Sequence, residues 1–205
     1  MTYRATKDHV TNRGAPPDRF LDELVAWGKT APNEIFAPSS AKDIYFKVAH
    51  ALGPFGGSGH RRAVMLEVMR VLAGFESSWK WNDGRDITNP KSVKPETTEA
   101  GAWQVSADSL GSGQDLRLLV LAKAGSLDPN VFQRAMKHDH ALAMEYIARL
   151  LRHNVRHNGP VRGNRIQAWL RQDAVMEFLD LLHPGPQFQM HTMDNICIRP
   201  RLVRW

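Results

Sequence analysis

The chain has 205 residues, 42% of them hydrophobic, which suits one well-buried core and does not require two domains. A formal net charge of +6 favours a polyanionic partner, such as nucleic acid, anionic lipid or the bacterial cell wall, over a cationic one. The single cysteine, Cys197, excludes an intramolecular disulfide, so stability is expected to come from packing.

The N-terminal segment, residues 1–17, is polar and ends at Pro16-Pro17. It is predicted to be an arm, and it lacks the apolar stretch of a signal peptide. The strongest apolar run, residues 116–122, is far below the roughly twenty residues that a membrane-spanning helix needs. We therefore expect synthesis in the cytoplasm without a membrane anchor. Action in the bacterial periplasm or cell wall would then require specialised export or lysis.

Two helices are predicted before the middle of the chain. Asp18 is expected to be the N-cap of the first helix, which stops at Gly28. Ser39 or Ser40 is expected to cap the second helix, which covers residues 41–52. Both helices carry apolar side chains at helical spacing, so each should present one face to a core.

The most apolar predicted helix covers residues 61–75, and between Ala63 and Leu72 only Glu67 and Arg70 interrupt the apolar side chains. Such a helix is expected to be buried almost all round. It is predicted to end near Gly74, so that Glu76 emerges from a buried helix end into a cleft. An apolar wall beside a carboxyl raises its pKa, which keeps it protonated as a general acid near neutral pH. A single Glu at a helix end is more often only solvated, so the neighbouring motifs decide between these interpretations.

Two motifs flank this position: Glu76-Ser77-Ser78 at the helix end and Gly101-Ala102-Trp103-Gln104 downstream. Together they resemble the lysozyme-like superfamily of goose-type lysozymes and soluble lytic transglycosylases. In that superfamily a helix-terminal Glu-Ser pair carries the catalytic acid, and a Gly-Leu-Met-Gln-like turn lines the sugar cleft. Here Ala102-Trp103 replace Leu-Met. The resemblance implies a mainly α, single lysozyme-like domain over residues 1–205, with a central buried helix that ends at the catalytic Glu76.

The loop between the two motifs is longer than the usual transglycosylase loop and carries additional carboxylates. Asp86 and Glu99 match a branch of the superfamily that has extra acidic residues in the cleft. Gly84 lies two residues before Asp86, and Ala100 follows Glu99; such small residues let the backbone approach a ligand closely. We therefore expect Asp86 and Glu99 to assist Glu76. Asp83 is predicted to be a turn former in Asn82-Asp83-Gly84, and Glu96 is predicted to be solvated.

Polar side chains near the acid are predicted to contact the substrate. Ser77 is expected to orient Glu76, and Gln104 and Ser106 are expected to hydrogen-bond N-acetyl groups. Asn158 lies in a segment, His157-Asn158-Gly159-Pro160, that is similar to the Tyr-Asn-Ala-Gly-Pro loop of transglycosylases. The similarity implies a substrate-binding role for Asn158.

Aromatic side chains in the same region are candidates for stacking on sugar rings. Trp79 and Trp103 are predicted to bind the substrate in this way, and Trp81 is a further candidate. Tryptophan is also a common core residue, so at least one of the three is expected to be purely structural.

Three helices are predicted in the C-terminal half, and no segment alternates with the period of a substantial β-sheet. The first covers residues 114–124. A long second helix runs from its N-cap Asp128 to Arg152, and a third covers residues 166–182. Residues 183–205 are predicted to form an irregular tail.

The motifs favour a muramidase that cleaves the β-1,4 bond between N-acetylmuramic acid and N-acetylglucosamine in peptidoglycan. A lytic transglycosylase is the alternative, since it needs no second carboxylate and yields 1,6-anhydro ends, but the acidic loop favours hydrolysis. No cofactor is expected, and no metal, because His138-Asp139-His140 and the His153 to His157 segment lack a complete ligand set. Such an enzyme fits an antibacterial effector, a phage lysin or a remodelling enzyme. An effector would imply an immunity protein that plugs the cleft.

A non-catalytic, basic helical protein that binds nucleic acid is the rival class. This class is suggested by the net charge and by a series of arginines in the C-terminal half, namely Arg149, Arg152, Arg156, Arg162, Arg165 and Arg171. Neither an aromatic stacking platform nor a recognition motif accompanies them, so nucleic-acid binding ranks below the enzyme.

Overall fold

The computed structural model describes residues 2–85, 87, 89–90, 92–153, 155 and 159–183. Within these ranges the chain forms eight α-helices and short 3-10 turns, and it contains no β-strand beyond one isolated bridge between Ala100 and Val105. The predicted mainly α class is therefore confirmed. The helices are α1 (Asp18–Thr30), α2 (Ile44–Leu52), α3 (Ser58–Ser77), α4 (Gln114–Ala124), α5 (Pro129–His138), α6 (His140–His153), α7 (Gly159–Arg162) and α8 (Gln172–Leu182).

Helix α3 is the centre of the fold, and every residue from position 61 to position 74 is buried. It is therefore buried all round along most of its length, as its composition predicts. The helix does not end near Gly74 but continues to Ser77. A Cβ at Gly74 would lie 2.7 Å from Cζ2 of Trp79 and 3.0 Å from Cβ of Val10. Gly74 thus serves close packing inside the helix, which the sequence pattern alone did not reveal.

Glu67 and Arg70 of α3 form a fully buried ion pair. Arg70 donates to both carboxylate oxygens of Glu67 at 2.7 and 2.8 Å, and neither side chain is exposed. The backbone N–H of Arg171 also donates to Glu67 at 3.0 Å, and Arg70 donates to the Asp8 carbonyl at 3.0 Å. The pair therefore connects α3 to the N-terminal segment and to the residue before α8, and it satisfies groups that would be costly to bury alone.

The first helix passes through the predicted stop at Gly28 and ends at Thr30. Gly28 faces the core, where a Cβ would lie 2.8 Å from Cδ1 of Leu66 and 3.1 Å from Cδ2 of Leu182. The missing side chain allows α1 to approach α3 and α8 closely. The prediction of a stop at Gly28 was wrong because tertiary packing, not helix termination, requires the glycine.

The second helix begins at Ile44, later than predicted, and its N-cap is Asp43 instead of Ser39 or Ser40. One Asp43 carboxylate oxygen accepts hydrogen bonds from the backbone N–H groups of Tyr45 and Phe46. The other oxygen accepts from Nε of Arg152 at 2.6 Å. A charged partner from α6 therefore fixes this cap, and the local sequence does not show that partner.

The predicted long helix is divided in two at Asp139. Asp128 caps α5 as predicted, through hydrogen bonds from the N–H groups of Asn130 and Val131. The carboxylate of Asp139 then accepts a hydrogen bond from the Leu142 N–H at 2.9 Å, so it caps the beginning of α6. Helix α4 stops at Gly125 as predicted, and the predicted third helix is a 3-10 turn at Gln167–Trp169 followed by α8.

The N-terminal segment packs against the body of the protein. The backbone N–H groups of Arg4 and Thr6 donate to Glu177 of α8 at 2.6 and 2.7 Å, and Thr6 and Val10 are fully buried. A single hydrophobic cluster includes Tyr3 and Val10 together with side chains of the main helices. Among the described residues, no helix is long and apolar enough to cross a bilayer. Only residue 183 of the predicted C-terminal tail lies within the described ranges.

Candidate active-site cleft

Glu76 lies in the last turn of α3, not after the helix. Ser78 and Trp79 follow it in the left-handed region, at φ of 56° and 59°, and their N–H groups donate to the carbonyls of Gly74 and Ala73. The chain therefore reverses sharply at the helix end. This reversal leaves Glu76 half-buried at the end of the most buried helix in the described part of the fold.

The turn at residues 101–104 is attached to the same helix end. The Ser77 hydroxyl donates to the Ala102 carbonyl at 2.8 Å, and the Trp103 indole N–H donates to the Met69 carbonyl at 2.9 Å. Gly101 has a φ of 76°, and a Cβ there would lie 2.5 Å from the Met136 carbonyl oxygen. Only glycine fits this position, and the turn is consequently held beside Glu76.

These elements enclose a cleft of about 580 Å³. Glu76 and Glu99 both line it, each half-buried, together with Ser77 and Gln104. The structure therefore brings together four of the nine predicted site residues. Among the described residues, the lining consists of Arg13, Glu76, Ser77, Ser78, Lys80, Asp83, Gly84, Arg85, Ile87, Asn89, Glu99, Gln104, Gly159, Pro160 and Arg165.

Glu99 is held by two donors from the loop that precedes it. Asn89 Nδ2 donates to one carboxylate oxygen at 2.5 Å, and the Ser92 hydroxyl donates to the other. Ser92 is buried, whereas Asn89 also lines the cleft. Both contacts are made to acceptor oxygens, so the side chain is fixed with its carboxylate at the cleft wall.

Ser77 and Gln104 line the cleft, and their polar groups already form hydrogen bonds within the protein. The Ser77 oxygen accepts from the Lys80 N–H at 3.0 Å in addition to its bond to the turn, and the side chain is almost fully buried. It therefore organises the backbone around Glu76 more than it faces a ligand. The Gln104 amide donates to the Gly101 carbonyl at 3.0 Å, which orients the side chain along the turn.

Three predicted substrate-binding residues do not line the cleft. Trp79 and Trp103 are only 4% and 2% exposed, and the Trp79 indole N–H donates to the Arg70 carbonyl at 2.9 Å. Their rings belong to the core, so the prediction that they stack on sugar rings was wrong. Ser106 is also buried, and its hydroxyl donates to Asp108 at 2.6 Å. Each of these side chains is occupied by intramolecular contacts.

Two further predicted site residues, Asp86 and Asn158, lie outside the described residues. Their neighbours Arg85 and Gly159 line the cleft. Trp81, the third stacking candidate, is half-buried and stacks on His140 with ring centroids 3.8 Å apart, outside the cleft.

Several cleft residues were not predicted from the sequence. The Asp83 N–H closes a turn one residue earlier than predicted by donating to the Lys80 carbonyl at 3.4 Å, and its side chain, which accepts from the Gly84 N–H, lines the cleft. Arg13, Lys80 and Arg165 add positive charge to the lining. A turn-forming Asp and isolated basic residues carry no local sequence signal of a site, since their role follows from tertiary placement.

The described residues contain no group of three or more His, Cys, Asp or Glu side chains placed to hold a metal ion. Comparisons of the chain with protein-family models, curated proteins and solved structures give no match. The chemistry proposed below therefore depends on the residues of the cleft and on the sequence motifs.

Proposed function

We propose that this protein is a peptidoglycan-degrading glycoside hydrolase that cleaves the β-1,4 bond between N-acetylmuramic acid and N-acetylglucosamine. The observation that carries the proposal is that Glu76, at the end of a buried helix, and Glu99, fixed by two donors, line one polar cleft. Glycoside hydrolysis requires two carboxyl groups on either side of the scissile bond. The substrate and the bond to be cleaved are proposed because the motifs around Glu76 and Gln104 resemble those of lysozyme-like enzymes.

In this proposal Glu76 is the general acid. It protonates the glycosidic oxygen as the bond breaks, while Glu99 accepts a proton from the attacking water. The Asn89 and Ser92 donors hold the Glu99 oxygens in place, so the base does not need to reorganise during the reaction. Gln104, on the turn attached to α3, is positioned to hydrogen-bond the sugar.

A lytic transglycosylase remains the second candidate, because Glu76 and the adjacent turn alone would suffice for attack by the C6 hydroxyl of the sugar. The presence of Glu99 in the same cleft supports hydrolysis. Asp86 is proposed to contribute as a further carboxylate.

Three of the arginines that suggested a nucleic-acid-binding protein form ion pairs within the fold. Arg149 pairs with Glu145, and Arg152 pairs with the buried Asp43, so neither guanidinium is available to a phosphate without cost. Arg171 likewise forms an ion pair with Asp173. Tight binding of duplex DNA in a gel-shift assay at physiological salt would nevertheless favour the rival.

The decisive test is Glu76→Gln, which keeps the shape of the side chain and removes the proton to be donated. We expect loss of at least about 100-fold in the rate of muropeptide release from purified peptidoglycan, with unchanged thermal unfolding. Glu96→Gln is the matched control, because Glu96 is exposed and lies outside the cleft lining. Release at the wild-type rate by the Glu76 variant would end the proposal.

The biological setting is proposed from the same activity. An antibacterial effector is preferred over a phage lysin or a remodelling enzyme, with action in the periplasm or cell wall after specialised export. An effector would be accompanied by a periplasmic immunity protein that occupies the cleft. Co-purification of a neighbouring gene product that abolishes muropeptide release would support this setting, and its absence would count against it.

A further inference from the structure

In the described part of the chain, four cationic side chains line the cleft: Arg13, Lys80, Arg85 and Arg165. All four are exposed. Within the described ranges none of them forms an ion pair, whereas several arginines elsewhere in the fold do. Glu76, Asp83 and Glu99 in the same lining offset part of this positive charge, so the cleft favours a ligand whose negative charges are separate carboxylates near the cations.

Arg13 reaches the cleft because the N-terminal segment is fixed against the end of α3. Val10 is fully buried, and its Cβ lies beside the position where Gly74 lacks a side chain. A tight turn follows, in which the Arg13 N–H donates to the Val10 carbonyl and the Val10 N–H donates to the Gly14 carbonyl. Thr11 and Gly14 have φ of 53° and 83° in this turn. The position of Arg13 is therefore built into the fold.

Arg165 approaches the cleft from the segment after α7. Its guanidinium lies 5.8 Å from the ring centroid of Phe75, the residue that precedes Glu76. The backbone N–H of Arg165 donates to the Pro160 carbonyl at 2.9 Å, after Asn164 in the left-handed region at a φ of 59°. This turn places a positive charge near the end of α3 that carries the proposed acid.

We infer that Arg13 and Arg165, with Lys80 and Arg85, select glycan strands that carry free carboxylates on attached peptides, and discriminate against neutral N-acetylglucosamine polymers. The inference rests on the proposed function and specifies its substrate. Guanidinium groups bind carboxylates through paired, charge-assisted hydrogen bonds. Glu76, Asp83 and Glu99 repel every anion, but they repel a densely charged phosphate polymer more than a glycan with widely spaced carboxylates.

The Glu76→Gln variant should bind the glycan without cleaving it, so its affinity for different ligands tests the inference directly. Soluble peptidoglycan fragments are compared with the same fragments after an amidase has removed their peptides. We expect about tenfold tighter binding of the peptide-bearing fragments at low salt, and loss of most of this preference at about 0.5 M salt. Equal binding of both ligands, or tighter binding of DNA or polyphosphate, would overturn the inference.

Arginine variants in the same background identify the residues responsible. Arg13→Ala and Arg165→Ala should each weaken binding of the peptide-bearing fragments about two- to fivefold, with little effect on the peptide-free fragments. Arg162→Ala is the matched control, since Arg162 is exposed nearby and does not line the cleft. An equal loss in the control would also overturn the inference.

Wild-type activity separates the two proposals. If the wild type cleaves peptide-free and peptide-bearing strands equally well, the muramidase proposal stands and the carboxylate preference fails. If the wild type cleaves neither, both fail.

Discussion

The hydroxyl of Ser77 donates a hydrogen bond to the Ala102 carbonyl oxygen at 2.8 Å, across 25 positions of sequence. This bond joins the last turn of α3 to the turn that carries Gln104. The same oxygen accepts from the Lys80 N–H, so one buried hydroxyl organises three backbone segments around Glu76. The relative placement of the proposed acid and the proposed substrate-binding turn depends on it.

Ser77→Ala should therefore affect both stability and turnover. Two backbone groups lose their side-chain partner, which should lower the free energy of unfolding by about 1 to 3 kcal/mol. A shifted turn should lower kcat for peptidoglycan by about tenfold. Urea unfolding and muropeptide release measure the two effects. The exposed Ser40→Ala is the control, and an active, fully stable Ser77 variant would show that the bond does not organise the site.

Two glycines with the same backbone conformation provide a matched pair. Gly101 and Gly125 have φ of 76° and 73°, but a Cβ at Gly101 would collide with the Met136 carbonyl oxygen, while a Cβ at Gly125 meets nothing within 4 Å. Gly125→Ala should therefore cost only the left-handed penalty, about 1 kcal/mol. Gly101→Ala should cost about 3 kcal/mol or more, because backbone must move. Chemical denaturation measures both, and equal losses would contradict the crowding at the turn.

Three buried tyrosines should make the protein less stable at alkaline pH. Burial raises the pKa of Tyr45 and of Tyr146, and burial together with Asp22 raises the pKa of Tyr3. Each folded pKa lies above the unfolded value of about 10, so the stabilising contribution is complete below pH 10 and is lost as the pH rises above it. The free energy of unfolding should consequently fall progressively as the pH rises above about 10.

Tyr45→Phe separates this effect from the loss of a hydrogen bond. The Tyr45 hydroxyl donates to the Arg61 carbonyl at 2.9 Å, so the variant should be about 1 kcal/mol less stable at neutral pH. Its stability should then decline less steeply than that of the wild type above pH 10, since one titrating group is gone. Parallel curves in urea unfolding at each pH would show that Tyr45 does not carry the dependence.

The sequence predicted the parts of the fold that depend on local pattern. The apolar run of α3, interrupted only by Glu67 and Arg70, indicated a buried helix, and Asp128 indicated a helix start, because both signals lie within a few residues of the feature. Gly28 was misread and Asp43 was missed, since their roles depend on contacts with Leu66 and Arg152 that only the assembled fold provides. Asp139 was missed although its capping contact with Leu142 is local, because the apolar pattern continues on both sides of it. Propensity is a weak guide wherever a tertiary partner decides.

The candidate site shows the same division. Glu76, Glu99 and Gln104 line one cleft, and the roles that the resemblance implies for them stay predictions. The tryptophans were misassigned because a sequence motif does not reveal whether an indole faces a cleft or the core. Arg13 could not be found at all, because the packing of Val10 against Gly74 determines its position.

The product of cleavage depends on whether Glu99 takes part in the reaction together with Glu76. If Glu99 positions water, the muramic acid ends released are reducing sugars; if Glu76 acts alone, they are 1,6-anhydro ends that are lighter by one water. We expect reducing ends, which mass spectrometry of digested muropeptides distinguishes directly. Glu99→Gln should lower kcat about 100-fold without unfolding the protein, because the amide keeps the shape of the side chain but is not a base.

Asp86→Asn tests the second acidic residue of the loop in the same assay, and it should also lower kcat strongly if that carboxylate assists the reaction. Glu96→Gln again serves as the control for a charge lost from the same loop outside the cleft lining. The contrast matters because a general loss of negative charge would affect all three variants alike. Predominantly anhydro ends, or near-normal rates in both the Glu99 and Asp86 variants, would show that the acidic loop is a solvated surface and that Glu76 works without it.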